Sequence, residues 1–155
     1  MSALALLWLA ACGPSPPSES PGDTQPDTTD GADTAETGLV DVIIEEPVPE
    51  PTHSEHIQPI WDDLCRGCHT SSFPHADLVL HDEAYGALVG VPATQSELLL
   101  VNQGDVDGSY LWHKLNDTQR SVDGSGDQMP GGGRSPLSDA SLQTVRNWIE
   151  QGAPP

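Results

Sequence analysis

One pentapeptide, Cys65-Arg66-Gly67-Cys68-His69, constrains this chain more than any other feature. Two cysteines three apart project from one side of a helical turn. An imidazole follows at once. The part of the chain able to fold around it is small. Residues 13–51 hold 10 of the 24 acidic residues, no Lys or Arg, and much of the Pro, Thr and Ser. Such a stretch lacks the apolar surface that offsets chain entropy, so it is expected to be disordered. That leaves residues 52–155 as the folded domain. About 100 residues fold alone but bury only a modest core. A large apolar group held covalently would enlarge it.

Four chemistries compete for the pentapeptide. A thioredoxin-type dithiol needs a βαβ context, and none surrounds it. A zinc site needs four ligands, and there is no second Cys pair. A Cys65–Cys68 disulfide leaves His69 without a role. The fourth is covalent haem, whose attachment spacing is C-x-x-C-H. Cys65 and Cys68 add to the two vinyl groups on one porphyrin edge, and His69 brings an imidazole nitrogen to the iron as proximal ligand. Gly67 permits close backbone approach to the macrocycle. The expectation is one covalent haem c.

The N-terminus adds a second motif. Ala3 to Ala11 is apolar and far too short to span a bilayer. It reads as the apolar region of an export signal. Leu9-Ala10-Ala11-Cys12 resembles a bacterial lipobox, which implies residues 1–11 as signal peptide and lipidation of Cys12. Met1-Ser2 departs from that pattern by lacking basic residues. Gly13 after the cysteine resembles lipoproteins of the Gram-negative outer membrane. Residues 12–51 are then a lipidated cysteine followed by an acidic tether. Acyl chains contribute about 0.8 kcal/mol per buried methylene, so the anchor is durable. The two motifs together use all three cysteines of the chain: Cys12 for lipid, Cys65 and Cys68 for thioethers.

Upstream of the pentapeptide the pattern is helical. Thr52-His53-Ser54-Glu55 has the form of a capping box. Ile57, Ile60, Trp61 and Leu64 follow at i, i+3, i+4 and i+7, and Pro59 falls in the first turn. Further helices are expected at Asp82 to Val89, Ser96 to Val101, and Ser109 to Leu115 with Ser109 as N-cap. Another begins after Ser138 with Leu142, Val145, Trp148 and Ile149 inward; Gly152 and Pro154 end it. Val40 to Ile44 is β-branched but lies in the tether. The fold class is all-α.

From His56 to His69 the chain resembles the opening of small class I-like cytochrome c domains of planctomycete and myxobacterial secreted proteins. There an I-x-P-I-[FW] helix precedes C-x-x-C-H. Leu78 to Leu80, Tyr85 to Gly90 and Ser109 to Leu115 resemble the middle segments. Gln128 to Gly132 and Trp148 to Pro154 resemble the closing ones. The resemblance implies short helices wrapped around haem, with electron transfer as the function. It also implies that the last helix crosses the first beside the haem edge.

A second axial ligand is then needed. Met129 is the only methionine besides Met1. It sits in a glycine-rich loop, Gly124 to Gly133, and a loop Met followed by Pro resembles the distal ligand of class I cytochromes. Pro130 restricts the backbone at Met129. His113, on the Ser109–Leu115 helix, is the alternative ligand. His53, His56, His75 and His81 are weaker candidates. Asp105-Val106-Asp107-Gly108 invites a calcium reading, but an EF-hand loop opening at Asp105 needs Gly and Glu where Tyr110 and Asn116 stand.

The net charge of −19 excludes nucleic acid as a partner, because nothing here neutralises phosphates. Acidity serves solubility, and also steers the protein toward a basic-surfaced redox partner. The expected function is single-electron carriage in the cell envelope, without enzymatic activity. Lipid holds the domain to the outer membrane, facing periplasm or cell surface. Two alternatives stay open. One is a haem domain with an open distal side acting as peroxidase or gas sensor. The other is a binding or assembly lipoprotein with structural haem.

Overall fold

The chain divides into two units, Met1–Val40 and Asp41–Pro155. A computed structural model describes residues 44–155, all in the second unit. The apolar run, Cys12, the tether to residue 43 and most of the Val40–Ile44 stretch lie outside the described residues.

The first helix enters differently from the expected capping box. Thr52 occupies the N-cap in extended geometry, but its side chain makes no capping bond. Instead the Thr52 N–H donates to His56 Nδ1 at 3.2 Å. A ring nitrogen thus serves where the Glu55 carboxylate was expected. The turn His53–Ile57 winds as a π-helix. It leads into α1, Gln58–Leu64, with Pro59 in its first turn. Ile57, Ile60 and Trp61 are buried, and Leu64 packs against them half-buried. The apolar stripe therefore faces the core as its spacing requires.

After the pentapeptide the chain reverses in a small hairpin. Strand β1, His69–Thr70, pairs antiparallel with β2, Phe73–Pro74, with His69 opposite Pro74. The second helix, α2, is only Tyr85–Leu88. The expected earlier start fails because Asp82 has φ +66°, which cannot continue a right-handed helix. Gln58 fixes this region to α1. Its amide donates to the Leu80 carbonyl at 3.0 Å, and its Oε1 accepts from the Ala84 N–H at 2.8 Å.

Residues 96–101 form no helix. Leu98 to Val101 are four apolar residues in a row, and this segment makes isolated bridges: Pro92 with Leu99, Val89 with Val101, and Leu99 with Ser109. Backbone partners on both sides favour extended chain over a lone helical turn. Helix α3, Tyr110–Leu115, follows. Ser109 stands at its N-cap without capping it; the hydroxyl donates to the Asp105 carbonyl at 2.7 Å instead.

Helix α4, Asp139–Glu150, matches its sequence pattern. The Ser138 hydroxyl accepts from the Ser141 N–H at 3.1 Å. Val145, Trp148 and Ile149 are fully buried, and Gly152 with φ +88° ends the helix. The helix packs on the His53–Ile57 turn, where the His53 and Trp148 rings lie 5.4 Å apart. The last residues staple this corner. The Pro154 carbonyl accepts from the Trp148 indole at 2.8 Å and the His53 N–H at 3.0 Å. Tyr85 donates to the Ala153 carbonyl at 3.0 Å.

Residues 44–51, assigned by composition to the tether, lie against α4. The Val48 N–H donates to Thr144 Oγ1 at 3.0 Å, and the Asn147 amide donates to the Val48 carbonyl at 2.8 Å. Ile44 packs on the core and Pro51 is buried. The described residues are helix-rich with little strand. Among them no helix is long and apolar enough to cross a membrane.

Candidate functional site

The pentapeptide turn grows directly from α1. The N–H groups of Cys65 and Arg66 both donate to the Trp61 carbonyl, at 2.9 and 3.0 Å. The Cys65 carbonyl then accepts from Cys68 at 3.2 Å and from His69 at 3.1 Å. These bonds wind the motif into one helical turn. Cys65 and Cys68 are thiols, not joined to each other, and both are half-buried. Burial pushes the Cys65 thiol up to about 12, against the opposing pull of the Arg134 guanidinium. It is neutral in the folded chain.

At Gly67 the space a side chain would fill is taken. A Cβ there would lie 3.0 Å from Arg134 Nη2. Arg134 Nη1 donates to the Leu64 carbonyl at 3.2 Å. The glycine makes room for this guanidinium, which closes the glycine-rich loop against the thiol turn.

His69 is buried, 8 % exposed. Its Nδ1 lies 3.2 Å from the Leu78 carbonyl. A carbonyl only accepts, so Nδ1 donates in this contact; the ring also has a backbone bond at His75. Desolvation, chiefly, holds the imidazole below its ordinary pKa; the backbone bonds at Leu78 and His75 oppose this, and the His75 and Lys114 charges add to it. A neutral imidazole oriented by a backbone carbonyl is the form in which histidine ligates a metal. The hairpin supports this placement, since the His69 carbonyl accepts from Leu80 at 2.9 Å.

Met129 sits half-buried against the hydrophobic core. Its N–H donates to the Lys114 carbonyl of α3 at 2.8 Å. The peptide bond from Met129 to Pro130 is cis. The far end of the loop returns to the thiol turn through Arg134. The loop is therefore fastened to α3 on one side and to the Cys65 region on the other, with Met129 between.

His113 is buried with both ring nitrogens engaged. Nε2 donates to the Asp107 carbonyl at 2.8 Å, and Nδ1 accepts from the Thr118 hydroxyl at 2.9 Å. No lone pair is left over. The remaining histidines also have structural settings. His56 receives the Thr52 N–H. His81 bridges Asp82 at 2.6 Å and the Ser71 N–H at 3.2 Å. His75 is exposed, its ring 6.3 Å from that of His69. His53 packs between Tyr85 and Trp148.

Sequence reasoning missed the residues that hold the loop. Tyr110, Lys114, Gln128 and Arg134 all bond to it or through it. One signal was available: Lys114 is the chain's only lysine and stands between Leu111 and Leu115 on the inward side of a short helix.

Among the described residues no three His, Cys, Asp or Glu side chains gather as a metal-holding group. An iron carried by a porphyrin does not need one. The donor set fits haem: two neighbouring thiols, an imidazole oriented by the Leu78 carbonyl, and a thioether on a loop fastened to α3. One buried donor beside the motif, the Trp61 indole N–H, has no acceptor. A group bearing carboxylates supplies acceptors of the kind it lacks.

The chain matches no protein-family model, no curated protein and no solved structure.

Proposed function

We propose that this protein is a lipid-anchored electron carrier of the cell envelope with one covalent haem c, in a class I cytochrome c-like all-α domain. Cys65 and Cys68 would hold the group through thioethers, and His69 and Met129 would ligate its iron. Cys12 carries the lipid, and an acidic tether links it to the domain. The observation that carries this reading is His69. Immediately after two half-buried thiols on one turn stands a buried imidazole whose Nδ1–H is held by the Leu78 carbonyl.

When bound, haem supplies reversible one-electron exchange at iron. The chain supplies everything else. His69 presents Nε2 in a fixed orientation, since rotation of the ring breaks the Leu78 bond. Met129 offers a soft, neutral sulfur, which favours the reduced iron and raises the potential relative to bis-His ligation. Burial of the apolar core excludes water. Acidic surface charge steers encounter with a basic-surfaced partner. The engagement of both His113 nitrogens favours Met129 over His113 as the sixth ligand.

The test is a denatured pyridine haemochrome spectrum of protein exported in a host that matures cytochromes c. Thioether-linked haem c is expected in the parent, and none in Cys65→Ser with Cys68→Ser. Met129→Ala should convert a low-spin ferric spectrum to high-spin. Absence of haem c in the parent refutes the cofactor. An unchanged spectrum in Met129→Ala removes Met129 from the iron.

A further inference from the structure

The loop carrying Met129 has little structure of its own. Gly124 to Gly133 contains no helix or strand, and its left-handed residues are Gly126, Gly132 and Gly133. The Gln119 amide donates to the Gly126 carbonyl at 3.2 Å, and most of the other bonds that hold it come from α3. Tyr110 donates from its hydroxyl to the Ser125 carbonyl at 2.9 Å and accepts from the Ser125 N–H at 3.1 Å. The Gln128 amide donates to the Leu115 carbonyl at 3.0 Å. Lys114 Nζ donates to the Ser125 carbonyl at 3.3 Å and also to the Asp127 carbonyl.

Lys114 differs from its neighbours in kind. It is 7 % exposed, and a buried ammonium is costly unless its donors are used. Here they are spent on loop carbonyls. Burial, chiefly, holds its pKa below the ordinary value; the Asp127 and Asp117 charges favour the ammonium, and the Arg120 charge opposes it. Its own backbone carbonyl receives the Met129 N–H at 2.8 Å. One residue thus grips the loop by its side chain and its main chain, on either side of Gln128. A point-like cation with several donors suits two carbonyls converging from different directions.

We propose that Lys114 is a positioning residue for Met129: its ammonium fixes residues 125–127 so that the thioether is held against competing external ligands. This rests on the haem reading above, with Met129 on the iron. Lys114 acts through the loop, by its bonds to Ser125, Asp127 and Met129.

The probe is imidazole, titrated at mildly alkaline pH into the ferric holoprotein and followed by loss of the sulfur-to-iron charge-transfer band. Imidazole must displace Met129 to bind. In Lys114→Met it is expected to bind at least about tenfold more tightly, the ratio that corresponds to about 1.4 kcal/mol. Lys114→Arg, which keeps the charge and donors, is expected to stay within about threefold of the parent. Tyr110→Phe gives a second route should Lys114→Met fail to fold, and is expected to tighten imidazole by a smaller factor. Thermal melts of each variant separate general destabilisation from loss of the grip.

Unchanged imidazole affinity in Lys114→Met, or in Tyr110→Phe where that variant stands in, overturns the proposal while the haem reading survives. So does a lowered melting temperature with affinity at the parent value. Failure of Lys114→Arg to rescue a weakened Lys114→Met also overturns it. If Met129→Ala leaves the parent affinity and band unaltered, the ligand assignment itself falls, and the proposal with it.

Discussion

His113 offers the most exacting check on the site, because one substitution tests both its structural role and the ligand assignment. His113→Ala removes a side chain that is 8 % exposed. It deletes the bond to the Asp107 carbonyl and the bond from the Thr118 hydroxyl. Each is worth about 1 kcal/mol net. The lost burial of the ring adds roughly 1–2 kcal/mol. The total is about 3–4 kcal/mol. For a domain of about 100 residues that lowers the melting temperature by roughly 12–32 °C. Urea unfolding followed by far-UV circular dichroism measures the loss as a shifted midpoint with an unchanged slope. Thr118→Val, which deletes only the hydroxyl, is expected to cost about 1 kcal/mol. Below the melting point, the haem spectrum of His113→Ala should stay low-spin. A stability loss under about 1 kcal/mol refutes the hydrogen-bond assignment. A high-spin spectrum in folded His113→Ala, with Met129→Ala still low-spin, would put His113 on the iron.

Burial, opposed by the Asp62 charge, holds His53 below its ordinary value of 6.5. Over that interval the unfolded chain binds more protons, so stability falls as pH drops through 6.5 and levels off below the folded value. Unfolding free energies measured from about pH 7 to about pH 5 should show a shallower slope in His53→Phe than in the parent, and equal slopes would discredit the assignment. Ser138→Ala removes the α4 cap and should lower stability by about 1 kcal/mol in urea titrations. At Gly124 an added Cβ would stand 2.4 Å from Tyr110 Cε2 and 2.7 Å from the Gln119 carbonyl. Gly124→Ala must therefore shift the start of the Met129 loop, and a weakened sulfur-to-iron band in the ferric spectrum is the expected readout.

What could be read from the sequence was local. The stripe of Ile57, Ile60, Trp61 and Leu64, and the Ser138 cap followed by Val145, Trp148 and Ile149, are periodic signals that burial enforces. They sit where the pattern places them. The thiol turn was legible for the same reason, since its geometry is set within five residues. Elsewhere distant partners overrode local preference. Thr52 is answered by a ring nitrogen rather than a carboxylate. Leu98 to Val101 could form a helix alone, yet lie extended between Val89, Pro92 and Ser109. Residues 44–51 are too polar and proline-rich to suggest order, but bond to Thr144 and Asn147 nearly a hundred positions away. The Lys114 grip on the Met129 loop belongs to this second class. No periodicity encodes a side chain reaching two carbonyls of a glycine-rich loop.

The docking of residues 48–51 on α4 also decides where any leash is tied. That segment enters beside the His53–Ile57 turn, whereas Cys65 stands past the other end of α1. From His53 to Leu64 the axis runs roughly 17 Å. A pull on the chain upstream of Val48 is thus borne by α4 and the Pro154 staple, not by the thiol turn or the Met129 loop. For an anchored carrier this is a mechanical advantage. On the proposed reading, the domain would swing at its knot while the thiol turn travels the outer arc, unloaded.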